Sequence, residues 1–257
     1  MLIDSPRLTA ADRQAWQRLE HWDDVLSRDP MLDRCVEQAR RVVGEFLAAG
    51  DAYVSVSWGK DSVVAAHIAA TVDPRVRVVW VRSRHFETPE CDQVRDRFLV
   101  THPGVRYEEI PVELRNPKRG EPGYDTRHLD PHADHQDVLK ETLRGRWISG
   151  LRAEESRMRR MSIAHRGLST ARTCRPIGRW SAVQVFAFLY REQLPVHPVY
   201  AMSVAGHYDR RWLRVHPLCS APPPRSSVHG RDMSTWEDTY YADVIAAAHV
   251  ARAHLWQ

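Results

Sequence analysis

No apolar run in this 257-residue chain approaches the length of a membrane-crossing helix, and its first residues lack a charged-then-apolar leader with a small-residue cleavage site. The expectation is a cytoplasmic protein that engages no membrane. Paired cysteines are missing as well. Cys35, Cys91, Cys174 and Cys219 stand far apart with no C-x-x-C, so neither a zinc knuckle nor an iron–sulfur cluster site is visible, and free thiols are expected. Lysine is scarce: arginine supplies nearly all of the 37 basic residues, which against 33 acidic ones leave a net charge of +4. That balance suits an anionic partner without requiring one. Internal repeats are absent, and the length excludes two full domains in favour of one domain with additions.

What is present centres on residues 52–67. A short β-branched strand runs through Ser57-Trp58-Gly59-Lys60-Asp61-Ser62 into an apolar helix, a layout that aims a helix N-terminus at a phosphate. Ser55 and Ser57 offer hydroxyls at the strand end, and Gly59 lets the backbone approach an anion. Lys60 adds a point charge, and Asp61 or Ser62 is expected to cap the helix. The order is not G-x-x-x-x-G-K-[ST], because Val54 stands where the first glycine belongs and Asp61 follows Lys60. An ordinary strand-to-helix turn with a solvated lysine is the plain alternative.

Around this stretch, helical spacing predicts helices over 9–27 and 31–49, separated at Asp29-Pro30. Strands follow at 76–81 and 105–112, with a helix starting at Thr88-Pro89-Glu90. Strand, helix and strand in succession imply right-handed crossovers and a parallel sheet with helices on both faces. The expected division is a helical extension over 1–50, a nucleotide-binding α/β domain over 51–220, and a linker with a C-terminal helix over 221–257. Cys35 is expected to be a packed thiol, and Cys91 lies near a helix N-terminus with Glu87 and Glu90 opposing activation. Residues 116–136 read as a substrate-facing loop. Its His128, Asp130, His132, Asp134 and His135 fit no standard metal-ligand spacing, and no protein metal ligands are assigned.

A second constellation, Gly150-Leu151-Arg152-Ala153-Glu154-Glu155-Ser156-Arg157-Met158-Arg159, follows a short apolar strand. It exposes Arg152, Glu155, Ser156 and Arg159 beyond a strand's carboxyl end, where two guanidiniums can hold a phosphate or sulfate. Further on, Cys219 lies near His216 and Arg214. It is either a sulfur carrier whose thiolate those cations favour or a packing residue.

Three motifs carry a family resemblance. Residues 57–62 resemble the S-x-G-K-D-S loop of the PP-loop ATP pyrophosphatases, with Trp58 in place of the commoner glycine. Residues 150–159 resemble the G-[IVL]-R-x-x-E-S-x-x-R motif of the phosphoadenosine phosphosulfate (PAPS) reductase-like branch. Residues 175–181 and 194–200 are similar to the R-P-[IL]-x-x-W-[ST] and L-P-x-x-P-[LV]-Y segments of the same branch, with Arg175 as a further phosphate contact and Trp180 and Tyr200 as packing residues. The resemblance implies ATP and Mg²⁺ as ligands, cleavage between the α and β phosphates, and Lys60, Asp61, Arg152 and Cys219 as catalytic candidates.

The sulfonucleotide reductases of that branch use a cysteine in an E-C-G-[LI]-H context, which nothing after Cys219 supplies, and commonly lose the loop lysine. An ATP sulfurylase small subunit would carry an acidic residue where Arg82-Ser83-Arg84 stands, and those arginines suit a polyanion. The favoured expectation is therefore the ATP-pyrophosphatase subunit of a DNA phosphorothioation system. Its partners would be DNA or another nucleic acid and a cysteine desulfurase or other persulfide donor, with a homo-oligomer left open. The alternatives are a PAPS reductase or ATP sulfurylase-like enzyme, and a non-catalytic nucleotide- or nucleic-acid-binding subunit.

Overall fold

The computed structural model describes residues 1–83, 87–112, 143–218, 227–228 and 231–252. Five strands form one sheet: β1 (Ala52–Val56), β2 (Arg77–Ser83), β3 (Arg106–Val112), β4 (Arg146–Ile148) and β5 (Thr173–Cys174), in the order β3-β2-β1-β4-β5. Tyr53 to Val56 pair in parallel with Arg77 to Trp80, and Ala52 to Val54 pair in parallel with Arg146 to Ile148. β4 and β5 are also parallel. This is the parallel α/β sheet that the alternation of strand and helix patterns implies.

The helices are α1 (Ala10–Ser27), α2 (Pro30–Ala48), α3 (Lys60–Val72), α4 (Glu90–Thr101), α5 (Arg157–Arg166), α6 (Ala182–Arg191) and α7 (Ser234–Arg252). Their ends follow local chemistry. Thr9 and Asp12 close a capping box on α1, Asp29 caps α2 with Pro30 in its first turn, and Ser181 and Gln184 box α6. α3 is buried on every side from Ser62 to Ala70, which is why it is apolar all round rather than striped.

Two compact units divide the chain. The first comprises Met1–Trp80, Glu90–Glu108 and Gly145–Val215. In it α1 lies against α6, with Trp16 edge-on to Phe186 at 6.1 Å between ring centroids, and α2 lies against α3. Asp23 and Arg210 form a buried two-pronged ion pair at 2.6 and 2.7 Å. The second unit comprises Val81–Pro89, Glu109–Arg144 and His216–Gln257. There Trp236 and Tyr241 of α7 are fully buried, and Glu237 pairs with His216 at 3.1 Å. α7 kinks at Tyr241, which puts Trp236 and Tyr241 inside with Tyr240 and Ala248 while Val244 and Ile245 are half-buried. Within the stretch read as linker, Ser227–Val228 and Arg231–Asp232 form a short antiparallel ladder. The loop 116–136, Arg84 and Cys219 lie outside the described residues. No helix among the described residues is long and apolar enough to cross a membrane.

Candidate functional site

The strand order creates the site. β1 has β2 on one side and β4 on the other, so the chain changes direction across the sheet at β1 and β4. The crevice beyond their carboxyl ends is a topological switch point, where open parallel sheets bind ligands. Both sequence constellations emerge there, residues 57–62 after β1 and 149–159 after β4. They touch at Gly150. A Cβ at that position would stand 2.5 Å from the carbonyl of Asp61 and 2.8 Å from the Ser62 nitrogen, so only glycine lets the two loops meet.

A chain of alternating charges joins them. The Asp61 carboxylate accepts from Lys60 Nζ at 2.8 Å on one oxygen and from Arg152 Nε at 2.6 Å on the other. Arg152 also donates to Glu154 at 2.5 Å and to the Trp180 carbonyl at 3.2 Å, and its backbone N–H donates to Glu155 at 3.0 Å. Glu155 in turn bridges Arg159 and Arg214, the latter at 2.8 Å. Lys60 and Arg152 are each only 1% exposed and Glu155 is 9% exposed, so Arg152 and Glu155 are buried rather than exposed beyond the strand end as expected, because each is drawn into this chain of ion pairs. Burial pulls the Lys60 ammonium below the usual lysine range against the pull of Asp61. Burial also opposes ionisation of Asp61, yet Lys60 and Arg152 hold it below the usual carboxylate range. Arg152 is raised despite its burial, chiefly by Asp61 and Glu154.

The loop itself differs from expectation in two ways. Neither Asp61 nor Ser62 caps α3: Gly59 is the N-cap, with no side-chain cap bond. Both residues lie inside the first turn, where Asp61 turns to its two cations and Ser62 Oγ donates to the Gly59 carbonyl at 2.9 Å and accepts from the Ser57 N–H at 3.2 Å. Tyr200, read as a packing residue, is the second difference. Its hydroxyl accepts the Lys60 backbone N–H at 2.9 Å, and its ring lies under the Lys60 ammonium at 4.9 Å. One of the helix N-terminal donors is therefore already engaged, and the tyrosine that engages it lies 140 residues away in sequence.

Trp58 takes a left-handed backbone, φ 58°, where a glycine would be unstrained. Its fully buried indole packs against Trp80, Phe98 and Tyr107 at centroid distances of 6.2, 5.5 and 5.9 Å. Left-handed backbone costs about 1–2 kcal/mol and the buried Nε1, without a partner among the described residues, about 1–3 kcal/mol more, whereas burying an indole yields roughly 4–6 kcal/mol at the usual area coefficient. Burial wins, and the loop keeps its turn without the glycine.

Of the other expected site residues, Ser55 is half-buried within β1 and Ser57 is exposed at its end. Ser156 caps α5 through the Arg159 N–H at 3.2 Å. Arg175 donates to Ser162 at 3.1 Å, and its buried Nε has no partner among the described residues. Burial, with Arg166 and Arg159 nearby, lowers its pKa. Cys174 is buried, which pushes its thiol up to about 12, and Cys91 is buried as well. Neither fits an exposed sulfur carrier. The cations expected to activate Cys219 have carboxylate partners, Arg214 with Glu155 and His216 with Glu237.

Three comparisons bear on this arrangement. The family model described as the phosphoadenosine phosphosulfate reductase domain matches residues 51–208. The chain belongs to that family. The match spans every element that builds the crevice and agrees with the branch to which the three motifs point. An adenosine 5'-phosphosulfate reductase of Bacillus cereus (strain B4264) is 28% identical over 159 residues, covering 56% of this chain and 65% of the relative, so the chain spans just under two thirds of that protein's length. A phosphoadenosine 5'-phosphosulfate reductase of Gloeobacter violaceus is 22% identical over 213 residues, 78% of this chain and 82% of the relative. Among solved structures, the PAPS reductase of Candida auris in its phosphate complex aligns with a TM-score of 0.45 at 11% identity, over 76% of this chain and 91% of that one.

For a divalent cation the fit is poor on the protein side. Both Asp61 oxygens are held by cations, and among the described residues no group of three or more His, Cys, Asp and Glu is arranged to hold a metal ion.

Proposed function

We propose that this member of the PAPS reductase domain family binds ATP at the switch-point crevice and cleaves it between the α and β phosphates, adenylylating an acceptor oxygen for sulfur incorporation. The acceptor in this reading is a DNA phosphodiester, and a persulfide donor completes the system. The observation that carries it is the Asp61 carboxylate clamped between Lys60 and Arg152, which gathers the loops after β1 and β4 at one point. The β and γ phosphates lie on residues 57–62, so the α phosphorus faces outward. An acceptor oxygen attacks it while the bond to the bridging oxygen breaks. Charge gathering on pyrophosphate meets Lys60, Arg152 and the N-terminal end of α3, a fixed positive pole that needs no reorganisation. The acceptor is left carrying AMP; sulfide displaces it at the acceptor phosphorus in one step, whereas a persulfide sulfur displaces it to leave a P–S–S bond that a second thiol then cleaves, the donor leaving as the disulfide. Retention of Lys60-Asp61-Ser62 supports ATP as the nucleotide.

A second reading is reduction of a ready-made sulfonucleotide, favoured by the names of the matched relatives. Incubation of the pure protein with ATP and Mg²⁺, with and without DNA, separates the two. AMP and pyrophosphate are the expected products. Sulfite release from PAPS in the presence of thioredoxin, with no cleavage of ATP, reverses the ranking, and binding of ATP with neither product assigns a non-catalytic subunit.

A further inference from the structure

Arg175 carries the one buried arginine or lysine nitrogen that has no acceptor among the described residues. It follows β5 directly, with its N–H donated to the Leu168 carbonyl at 2.7 Å and its own carbonyl accepting from Gly178 at 2.9 Å, so its backbone is held on both sides. The side chain makes a single hydrogen bond, from a terminal guanidinium nitrogen to Ser162 Oγ at 3.1 Å, and the buried Nε is left over. Other arginines of this unit fill their donors: Arg146 gives Nε and both terminal nitrogens to three carbonyls, and Arg210 gives two nitrogens to Asp23. A donor taken from water without an acceptor is costly, so the Nε marks a place where an acceptor belongs. A second buried orphan stands next to it. Ser149 donates its N–H to the Cys174 carbonyl at 2.9 Å as β4 ends beside β5, and its hydroxyl has no partner among the described residues.

Helix α5 supplies further positive charge at the same point. Arg159, Ser162 and Arg166 recur at spacings of three and four and so share one face of the helix, the face that Arg175 meets through Ser162. Arg159 stands one turn before that contact and Arg166 one turn after it. The only carboxylate that these three guanidiniums hold among the described residues is Glu155, which Arg214 shares at 2.8 Å. Arg166 and Arg159 bear on Arg175 strongly enough to add to the depression that burial causes. Like charges gathered around a buried, unused donor are matched to an anion.

We propose that Arg159, Arg166 and Arg175 form a second oxyanion subsite, separate from the phosphate loop after β1, and that it holds the phosphodiester phosphate of the acceptor. The sequence resemblance gives Arg175 to the nucleotide phosphates, and the contacts divide otherwise. Lys60 and Arg152 are tied to Asp61, whereas Arg175 is tied to α5. Glu155 stands between the two groups, accepting from the Arg152 N–H on one side and from Arg159 on the other, so one carboxylate separates two anion positions and keeps them adjacent. The guanidinium fork fits paired non-bridging phosphate oxygens. Arg175 is half-buried and Arg166 is exposed, so the group opens to solvent on the Arg166 side, where both ester arms of a diester can leave it. The inference deepens the reading of a phosphodiester acceptor and rests on it for its ligand, while the subsite itself stands on the three arginines.

The test is a ³¹P NMR titration of the full chain with a thymidine dinucleotide, which carries a single phosphodiester, and with inorganic phosphate, each with and without saturating α,β-methylene-ATP. The expected result is that the dinucleotide binds with the ATP analogue in place and that inorganic phosphate competes with it. Arg166→Ala and Arg175→Lys should each weaken both probes at least ~10-fold, the first by removing a guanidinium and the second by replacing the fork and its Nε with a point charge. Arg166 is exposed, so its alanine variant keeps the fold even if Arg175→Lys does not, and circular dichroism checks both. Equal binding by folded variants overturns the proposal. Loss of both probes when the ATP analogue is added also overturns it and assigns the arginines to the nucleotide's own phosphates. Binding of inorganic phosphate without the dinucleotide overturns the acceptor as its source. ATP cleavage is measured on the same wild-type sample. A chain that binds the dinucleotide through these arginines and never cleaves ATP loses the nucleotide reading while the subsite stands, and a chain that cleaves ATP while its variants bind the dinucleotide normally loses the subsite while the reading stands.

Discussion

The first compact unit carries two sets of arginine and lysine side chains that differ in one respect. Lys60 and Arg152 are 1% exposed and share one carboxylate, whereas Arg157 and Arg160, five and eight positions after Arg152 in the chain, are exposed and meet no carboxylate among the described residues. Buried cations cannot stand alone, because their desolvation is recovered only through a fixed partner. They are therefore positioned to within a hydrogen bond and respond little to salt. Exposed cations need no partner, act at a distance and weaken as salt screens them. Buried, paired cations suit a task whose geometry is fixed, and exposed ones suit attraction at a distance.

Removal of Asp61 is the strongest way to break that contrast. Asp61→Asn leaves Lys60 and Arg152 buried with no compensating charge, and the expected destabilisation is about 3–5 kcal/mol, read as a lower urea midpoint. Arg157→Ala/Arg160→Ala should stay within about 0.5 kcal/mol of wild type. Comparable midpoints for the two variants would erase the distinction. Next in size is Lys60→Ala, which should lower pyrophosphate release from ATP by about 10²–10³-fold, the usual cost of one fixed donor to developing charge. Lys60→Arg should not restore it, since a bulkier guanidinium would replace the compact ammonium at a position only 1% exposed. Release that survives Lys60→Ala removes this lysine from the mechanism.

A buried base held neutral is a third case, and it sharpens the comparison through pH. His67 Nδ1 lies 3.0 Å from His102 Nε2, and burial, followed by His102 and Arg40, lowers His67 to about 4. Burial lowers His102 too and takes His197 to about 3. The unfolded chain binds protons at these positions below about 6.5, where the native state does not. Stability is thus present above pH ~6.5 and lost as pH falls toward 4, with up to about 3 kcal/mol due to His67. Glu192, 3.9 Å from His67 Nε2, is the acid that faces it. Unfolding midpoints measured between neutral pH and pH 4 should fall steadily, and a midpoint flat across that window contradicts the neutral, buried assignment.

The sequence made local features legible and left contacts over long chain distances hidden. The strand–loop–helix at 52–72 and the capped starts of α1, α2 and α6 are written in neighbouring residues, so their chemistry could be read directly. Strand β5 is two residues long and has no period to detect. Arg152 and Asp61 were both legible as site residues, but not that they meet across 91 positions, because that pairing depends on strand order and on the missing Cβ of Gly150. Trp58 reads in the sequence only as a departure from the commoner glycine, since its neighbours give no sign of the aromatic pocket that repays its strain. Tyr200 had the strongest available signal, a tyrosine ending a motif, yet a phenol reads as packing until its hydroxyl is seen on a helix N–H.

Tyr200 supports the smallest prediction and the one that tests the contrast most closely. Tyr200→Phe keeps the ring beneath the Lys60 ammonium and removes only the oxygen that accepts the Lys60 N–H. The net worth of one such bond is about 1 kcal/mol, up to about 3 if the buried donor finds no other acceptor. Turnover should persist, because the ammonium, Asp61 and Arg152 retain their contacts. If ATP cleavage instead falls as far as in Lys60→Ala, the hydroxyl rather than the ammonium fixes the phosphate-facing end of α3. The buried set would then owe its precision to a neutral hydrogen bond, and the division between paired and unpaired cations would cease to explain the site.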